Sequence, residues 1–199
     1  DTLCGWLDAL REIPHIEILR IGTRLPAVLP GRIDAELAAR LRAYHPLFIN
    51  LHFNHPAELT PEAARACGLL ADAGIPLGNQ TVLLKGVNDD AETLTALFRG
   101  LLRMRVKPYY LHQCDCAEGA AHFRVPVERG RALVRSLQGR LSGLAIPRYV
   151  VDPPEGCGKM PLTDPLDVSP DGRVFRFSGV HGRRGTYPRA GDAVSADPN

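Results

Sequence analysis

Leu77-Gly-Asn-Gln-Thr-Val-Leu-Leu84, then Ala91–Arg103, then Val106-Lys-Pro-Tyr-Tyr-Leu111 follow one another as a strand, a helix and a strand. The first run is short and apolar and stops at Lys85-Gly86, as strands do. Ala91–Arg103 sets Leu94, Leu97, Phe98 and Leu101 on one face, the 3.6-residue period of a half-buried helix. Three more strand candidates stand out: Ile16–Ile21, Leu47–Phe53 and Ile146–Val151. The first four begin at positions 16, 47, 77 and 106, a spacing of one strand–helix unit. Helix patterns fill the gaps. Asp34–Tyr44 carries Leu37 and Leu41; Pro61–Ala73 has Thr60 as cap, Pro61 at the first helical position and Gly74 as stop; Val127–Gly139 follows Pro126. Thr2–Ile13 reads as an amphipathic helix through Leu3, Trp6, Leu7 and Leu10. Such alternation predicts an α/β protein with a parallel sheet, either a barrel or an open doubly wound sheet. No G-x-G-x-x-G follows a strand, so the dinucleotide-binding version loses its usual support.

The 199 residues fit one domain or a large part of one. A hydrophobic share of 45% and a charged share of 23% are those of a soluble globular protein. A net charge of +2, with no basic run interleaved with aromatics, argues against nucleic acid as partner. No apolar stretch has membrane-spanning length and no signal sequence opens the chain, so the expected location is cytoplasmic. Cys4, Cys67, Cys114, Cys116 and Cys157 are odd in number and scattered, which fits neither a disulfide framework nor a structural zinc site.

Polar residues gather where strands feed the next helix. The first strand exits into Thr23 and Arg24, and the second through Asn50, His52 and Asn54-His55-Pro56. The third carries Asn79 and Gln80; the fourth ends in His112-Gln113-Cys114-Asp115; the fifth ends in Asp152. In a parallel barrel these C-terminal strand ends form the active site, which points to an enzyme. Each residue has a plainer reading. His52 alternates with apolar neighbours like an interior histidine, Gln80 could tie a strand to a loop, and Asp115 and Asp152 could cap turns. The sharper reading of the two acids is a pocket for a cation, since a buried ammonium needs paired carboxylates. Beyond Asp152, Pro-Pro-Glu-Gly-Cys-Gly-Lys159 is a loop whose glycines flank a single lysine. A phosphate-binding P-loop fails there, because Pro153 and Met160 stand where glycine and Ser or Thr are needed. Lys159 is then either an ordinary surface amine or an amine able to form a Schiff base with an aldehyde cofactor.

Taken in order, His15-Ile-Glu-Ile-Leu-Arg-Ile-Gly-Thr-Arg24, Asn50-Leu-His-Phe-Asn-His-Pro56, Leu77-Gly-Asn-Gln80, Gly86-Val-Asn-Asp89, Gln113-Cys-Asp115, His122-Phe-Arg124 and Val151-Asp152 ahead of Gly158-Lys159 resemble the lysine 2,3-aminomutase family over about residues 1–188. The resemblance implies an isomerase that converts lysine to β-lysine by radical-mediated migration of the 2-amino group to C3. It implies three cofactors, pyridoxal 5′-phosphate, S-adenosylmethionine and a [4Fe–4S] cluster, with an external reductant for the cluster and a homo-oligomer left open. It matches Lys159 to the Schiff-base lysine, Asp115 and Asp152 to the acids that bind the side-chain ammonium of lysine, and His52 and Gln80 to contacts with S-adenosylmethionine. The implied fold is part of a partial (β/α) TIM-like barrel over residues 1–152, a lysine loop and irregular C-terminal extension over 153–181, and a flexible tail over 182–199.

The chain departs from the family at Glu155-Gly156-Cys157-Gly158, where a run of glycines is usual, and at Met160. The C-x-x-x-C-x-x-C cluster motif occurs nowhere in the 199 residues, so no residue here is assigned to a metal. The expectation is therefore the C-terminal portion of such an enzyme, with cluster ligands upstream, inactive alone and carrying an apolar sheet edge prone to associate. Two other readings stay open: a relative making β-lysine for attachment to a translation factor, and a non-catalytic remnant that binds cofactor or a partner protein.

Overall fold

The computed structural model describes residues 2–163, 166–178 and 182–189. The order of elements is α1 (Thr2–Arg11), β1 (Leu19–Thr23), α2 (Leu25–Val28), α3 (Ala35–Arg42), β2 (Leu47–Leu51), α4 (Pro61–Asp72), β3 (Leu77–Leu83), α5 (Ala91–Arg103), β4 (Lys107–Gln113), α6 (Val127–Leu137), β5 (Arg148–Val151), β6 (Met160–Pro161), β7 (Asp167–Val168), β8 (Val174–Ser178) and β9 (Arg184–Pro188). Strands β1 to β6 form a six-stranded sheet in sequence order. The pairs β1–β2, β2–β3 and β4–β5 are parallel, and β6 returns antiparallel on β5. This is the mixed α/β, mostly parallel architecture that the strand–helix alternation predicts. Among the described residues the sheet does not close on itself. No helix there is long and apolar enough to cross a membrane.

The fold divides into two compact units, one of Asp1–Gln80 with Ala96–Tyr109, the other of Thr81–Thr95 with Tyr110–Asn199. In the first, local chemistry sets the helix ends. The Asp34 side chain accepts from the Leu37 N–H to cap α3, and Thr60 accepts from the Ala63 N–H to cap α4. Gly74 takes φ +78° just past α4, a left-handed turn that favours glycine. Strand β2 turns Leu47, Ile49 and Leu51 inward, and all are at most 3% exposed. The first strand starts later than predicted, at Leu19, whose N–H donates to the Pro46 carbonyl and opens the ladder with β2.

In the second unit α6 packs by β5, and β7, β8 and β9 form a separate antiparallel sheet. That sheet corrects one expectation. Val174–Phe177, a short-strand candidate within the extension, lies in β8, whereas 184–188, predicted as flexible tail, form β9. The physical reason is alternation: Phe175 and Phe177 on β8, and Gly185 and Tyr187 on β9, turn inward and bury the sheet's apolar face. Residues 190–199 of the predicted tail lie outside the described residues.

Candidate active site

The second unit gathers Asp115, Asp152 and Lys159, and the reason is strand register. Val150 pairs with Pro161 and Val151 with Met160. One step further along the same antiparallel ladder, Asp152 faces Lys159. The intervening residues 153–158 turn the chain back through a short 3-10 turn, Pro154–Gly156. Gly156 at φ +69° and Gly158 at φ +79° occupy left-handed conformations that a side chain would strain. The result is a direct contact: the Lys159 ammonium donates to Asp152 Oδ2 at 2.9 Å. Both side chains keep a little over a third of their surface in solvent (38% and 39%), so the pair can exchange with a ligand.

Strand β4 supplies the floor. Its inward residues Leu111 and Gln113 are buried, which turns Tyr110 and His112 to the opposite face. The Lys159 ammonium lies 5.9 Å from the centre of the Tyr110 ring, and His112 Nδ1 lies 3.4 Å from the same Asp152 oxygen that Lys159 holds. The Tyr110 and His112 rings meet edge to face at 5.5 Å. Asp115 stands just beyond the strand. Desolvation, and then the negative charge of Asp152, push its carboxyl above the ordinary aspartate range, while the Lys159 ammonium pulls it down. Two carboxylates and one ammonium thus sense one another's charge across the ends of the paired strands β4 and β5. Nothing stands within 4 Å of where a Cβ on Gly158 would be, so the loop is open at the residue before Lys159.

The first unit brings His52 and Gln80 together, with His52 Nε2 at 3.2 Å from Gln80 Oε1. Strand β3 explains the pairing. Leu77, Asn79, Thr81 and Leu83 are buried along one face, leaving Gln80 on the other. Tying strand to loop falls to Asn79, whose amide holds both the Phe53 N–H (2.8 Å) and the Phe53 carbonyl (3.0 Å). His55 has a structural job of its own: with Glu58 it forms a reciprocal cap on the turn Pro56–Glu58. In the second unit the Gly86-Val-Asn-Asp89 stretch is likewise a built turn, with Asn88 bonding Leu84 and Val82 and Asp89 accepting from Gly86. Sequence reasoning passed over Tyr110, and named His112 only among the polar strand-end residues without setting it beside Lys159. Their signal was the period-2 alternation of β4, which puts them on one face and Leu111 with Gln113 on the other.

The chain is similar to proteins named as 2,3-aminomutases. Residues 134–197 match the profile of the family described as Lysine-2,3-aminomutase. An L-lysine 2,3-aminomutase of Fusobacterium nucleatum is 52% identical over 177 residues, 87% of this chain and 42% of that protein. One of Clostridium subterminale is 55% identical over 162 residues, 81% of this chain and 39% of that protein. A glutamate 2,3-aminomutase of Clostridioides difficile is 48% identical over 170 residues, 85% of this chain and 40% of that protein. The chain is therefore a relative of the 2,3-aminomutases. Within them, it is similar to the lysine 2,3-aminomutases over most of its own length. It spans about two fifths of the length of the curated relatives it matches (42% and 39% for the first two).

Proposed function

We propose that this chain contributes the lysine-binding and Schiff-base part of a cytoplasmic lysine 2,3-aminomutase, an isomerase that interconverts lysine and β-lysine. The observation that carries the proposal is the Lys159 ammonium seated on Asp152 with Asp115 electrostatically coupled to both. That an ammonium group can sit on Asp152 supports a place there for a substrate lysine's distal ammonium. Were Lys159 bonded to an aldehyde and drawn off Asp152, two mutually repelling carboxylates would remain for an incoming cation. A glutamate substrate would bring a third negative charge to that strand end.

Lys159 would hold pyridoxal phosphate, and its exposed amine and the loop open at Gly158 fit an aldehyde cofactor. When bound, that group supplies an electrophilic carbon and a delocalised electron sink. S-adenosylmethionine with a reduced [4Fe–4S] cluster would supply the radical initiator; the cysteine motif for such a cluster is not among these 199 residues. The chain's own residues have simpler tasks. Lys159 must shed a proton before its amine can attack, and Asp152 Oδ2 at 2.9 Å is its hydrogen-bonded acceptor. His112 Nδ1, 3.4 Å from that oxygen, can share the proton. Asp115 and Asp152 fix the substrate's register by its far end, so that C2 and C3 are held still during migration. His52 and Gln80 would contact S-adenosylmethionine. The open sheet, with Phe48 40% exposed on β2, supports a partial (β/α) barrel.

The test is covalent trapping. The protein is incubated with pyridoxal phosphate, reduced with borohydride, digested and mapped by mass spectrometry. Within these 199 residues the lysines are Lys85, Lys107 and Lys159. Label concentrated on Lys159, and lost in Lys159→Arg, is expected. Equal labelling of the three would sink the assignment.

A further inference from the structure

We propose that Tyr187, acting through Gln113 and the Cys114 carbonyl, positions Asp115 for the substrate's distal ammonium, which makes the small C-terminal sheet a working part of the lysine site. This rests on the reading of Asp115 as an ammonium ligand. Gln113 sits in the motif Gln113-Cys-Asp115, yet it faces away from Tyr110 and His112 and is 1% exposed. A buried amide must find partners for every polar atom. Its Nε2 donates to the Val125 carbonyl at 2.7 Å and to the Tyr187 hydroxyl at 2.9 Å, and its Oε1 accepts from the Tyr149 hydroxyl. The amide has one possible orientation, because the Val125 carbonyl can only accept. Having accepted from Gln113, Tyr187 has a single proton left, and it donates that proton to the Cys114 carbonyl at 2.6 Å. Each proton in the series Tyr149, Gln113, Tyr187, Cys114 therefore has one direction.

The end of that series is the peptide joining Cys114 to Asp115. On the other side of Asp115, its own carbonyl accepts from the Cys114 thiol at 3.7 Å. Burial pushes the Cys114 thiol up, so it keeps the proton that it donates. Both peptide planes flanking the Asp115 Cα are held, and with them the direction of its Cβ. Asp115 is an exposed acid just past a strand end. Held this way, it can be presented to a ligand at a fixed angle, which a binding site requires to within about 0.5 Å. The anchor comes from β9, where Tyr187 pairs with Phe175 of β8.

The experiment uses the complete enzyme and compares equilibrium binding of L-lysine with that of L-norleucine, which has the same four side-chain carbons but no distal ammonium. Tyr187→Phe removes only the hydroxyl. It should weaken lysine binding about 3- to 10-fold, as the loss of one neutral hydrogen bond does, and leave norleucine binding unchanged. KM for lysine should rise with little change in kcat. Phe175→Leu, a packing control in the same sheet, should lower the melting temperature and keep the lysine-to-norleucine ratio. A wild-type ratio in Tyr187→Phe beside a collapsed ratio in Asp115→Asn overturns the positioning role and spares Asp115. An unchanged ratio in Asp115→Asn overturns the reading of Asp115 and the positioning role with it. Should Tyr187→Phe fail to fold, Tyr149→Phe tests the same series from its far end, and an unaltered ratio there is equally fatal.

Discussion

Gly130→Ala is the sharpest probe of the buried polar series, because two physical effects of opposite sign meet there. Gly130 lies inside α6, where alanine is the better helix former by about 1 kcal/mol. A Cβ at that position would stand 2.1 Å from the Tyr149 hydroxyl oxygen, 2.5 Å from its Cζ and 2.9 Å from its Cε1. Tyr149 is 1% exposed, so its ring has nowhere to retreat. Forcing extra volume into a packed core costs about 1–3 kcal/mol. Displacing the hydroxyl from Gln113 leaves a buried acceptor unmet, a further cost of about 1–3 kcal/mol. Subtracting the propensity gain leaves a net destabilisation of about 1–5 kcal/mol, centred near 3. At this chain length that is a fall in melting temperature of roughly 6–12 °C. Thermal and urea unfolding followed by far-ultraviolet circular dichroism would measure it. The double variant Gly130→Ala with Tyr149→Phe should be less destabilised than the sum of the singles by about 1 kcal/mol, because the nearest clashing atom is gone. Wild-type stability in Gly130→Ala, or strict additivity in the pair, would refute the reasoning.

Two further outcomes are expected. In the complete enzyme Asp152→Asn should weaken lysine binding about 10- to 100-fold, the worth of a charge-assisted hydrogen bond; calorimetric titration showing unchanged affinity would remove its role. Asp115→Asn should change the pH dependence of stability. Desolvation and the Asp152 charge raise the Asp115 pKa in the fold, so the folded chain binds that proton more tightly than the unfolded one. The resulting stability is present below the unfolded value of about 3.9 and is lost as pH rises through the folded value. The variant, neutral throughout, should gain in melting temperature over wild type as pH climbs from acid to neutral. A difference that stays flat across that range contradicts the shift.

Most of the sheet was legible because burial follows period. Leu77, Asn79, Thr81 and Leu83 alternate inward as their spacing predicts, and α5 spans Ala91–Arg103 as its apolar face indicates. What escaped was structure that depends on partners rather than propensity. β9 is Arg-Gly-Thr-Tyr-Pro, a loop by composition, and it becomes a strand by pairing along β8 and burying Tyr187. β6 has two residues, too few to carry any pattern, and exists through its ladder with β5. For the candidate site, the acids could be picked out by their place at strand ends and the lysine by its glycine-flanked loop, but the Asp152–Lys159 contact could not, since it needs the antiparallel return. Gln113 was readable in principle: a polar residue in phase with buried Leu111 must be bonded inside the protein. Its partners, one of them Tyr187 far along the chain, could not be.

The hairpin that sets Asp152 against Lys159 constrains arithmetic more than chemistry. Each residue of a strand faces the opposite way from the next. Dropping or adding one residue between positions 153 and 158 would therefore swing the lysine to the far face, whatever the loop's composition. Glutamate and cysteine can trade places there so long as the tally stays even and glycine keeps the two left-handed positions. Loop length, then, is the inherited quantity on which this pairing depends, and a frame-preserving codon loss at that point would disarm the site more thoroughly than most substitutions within it.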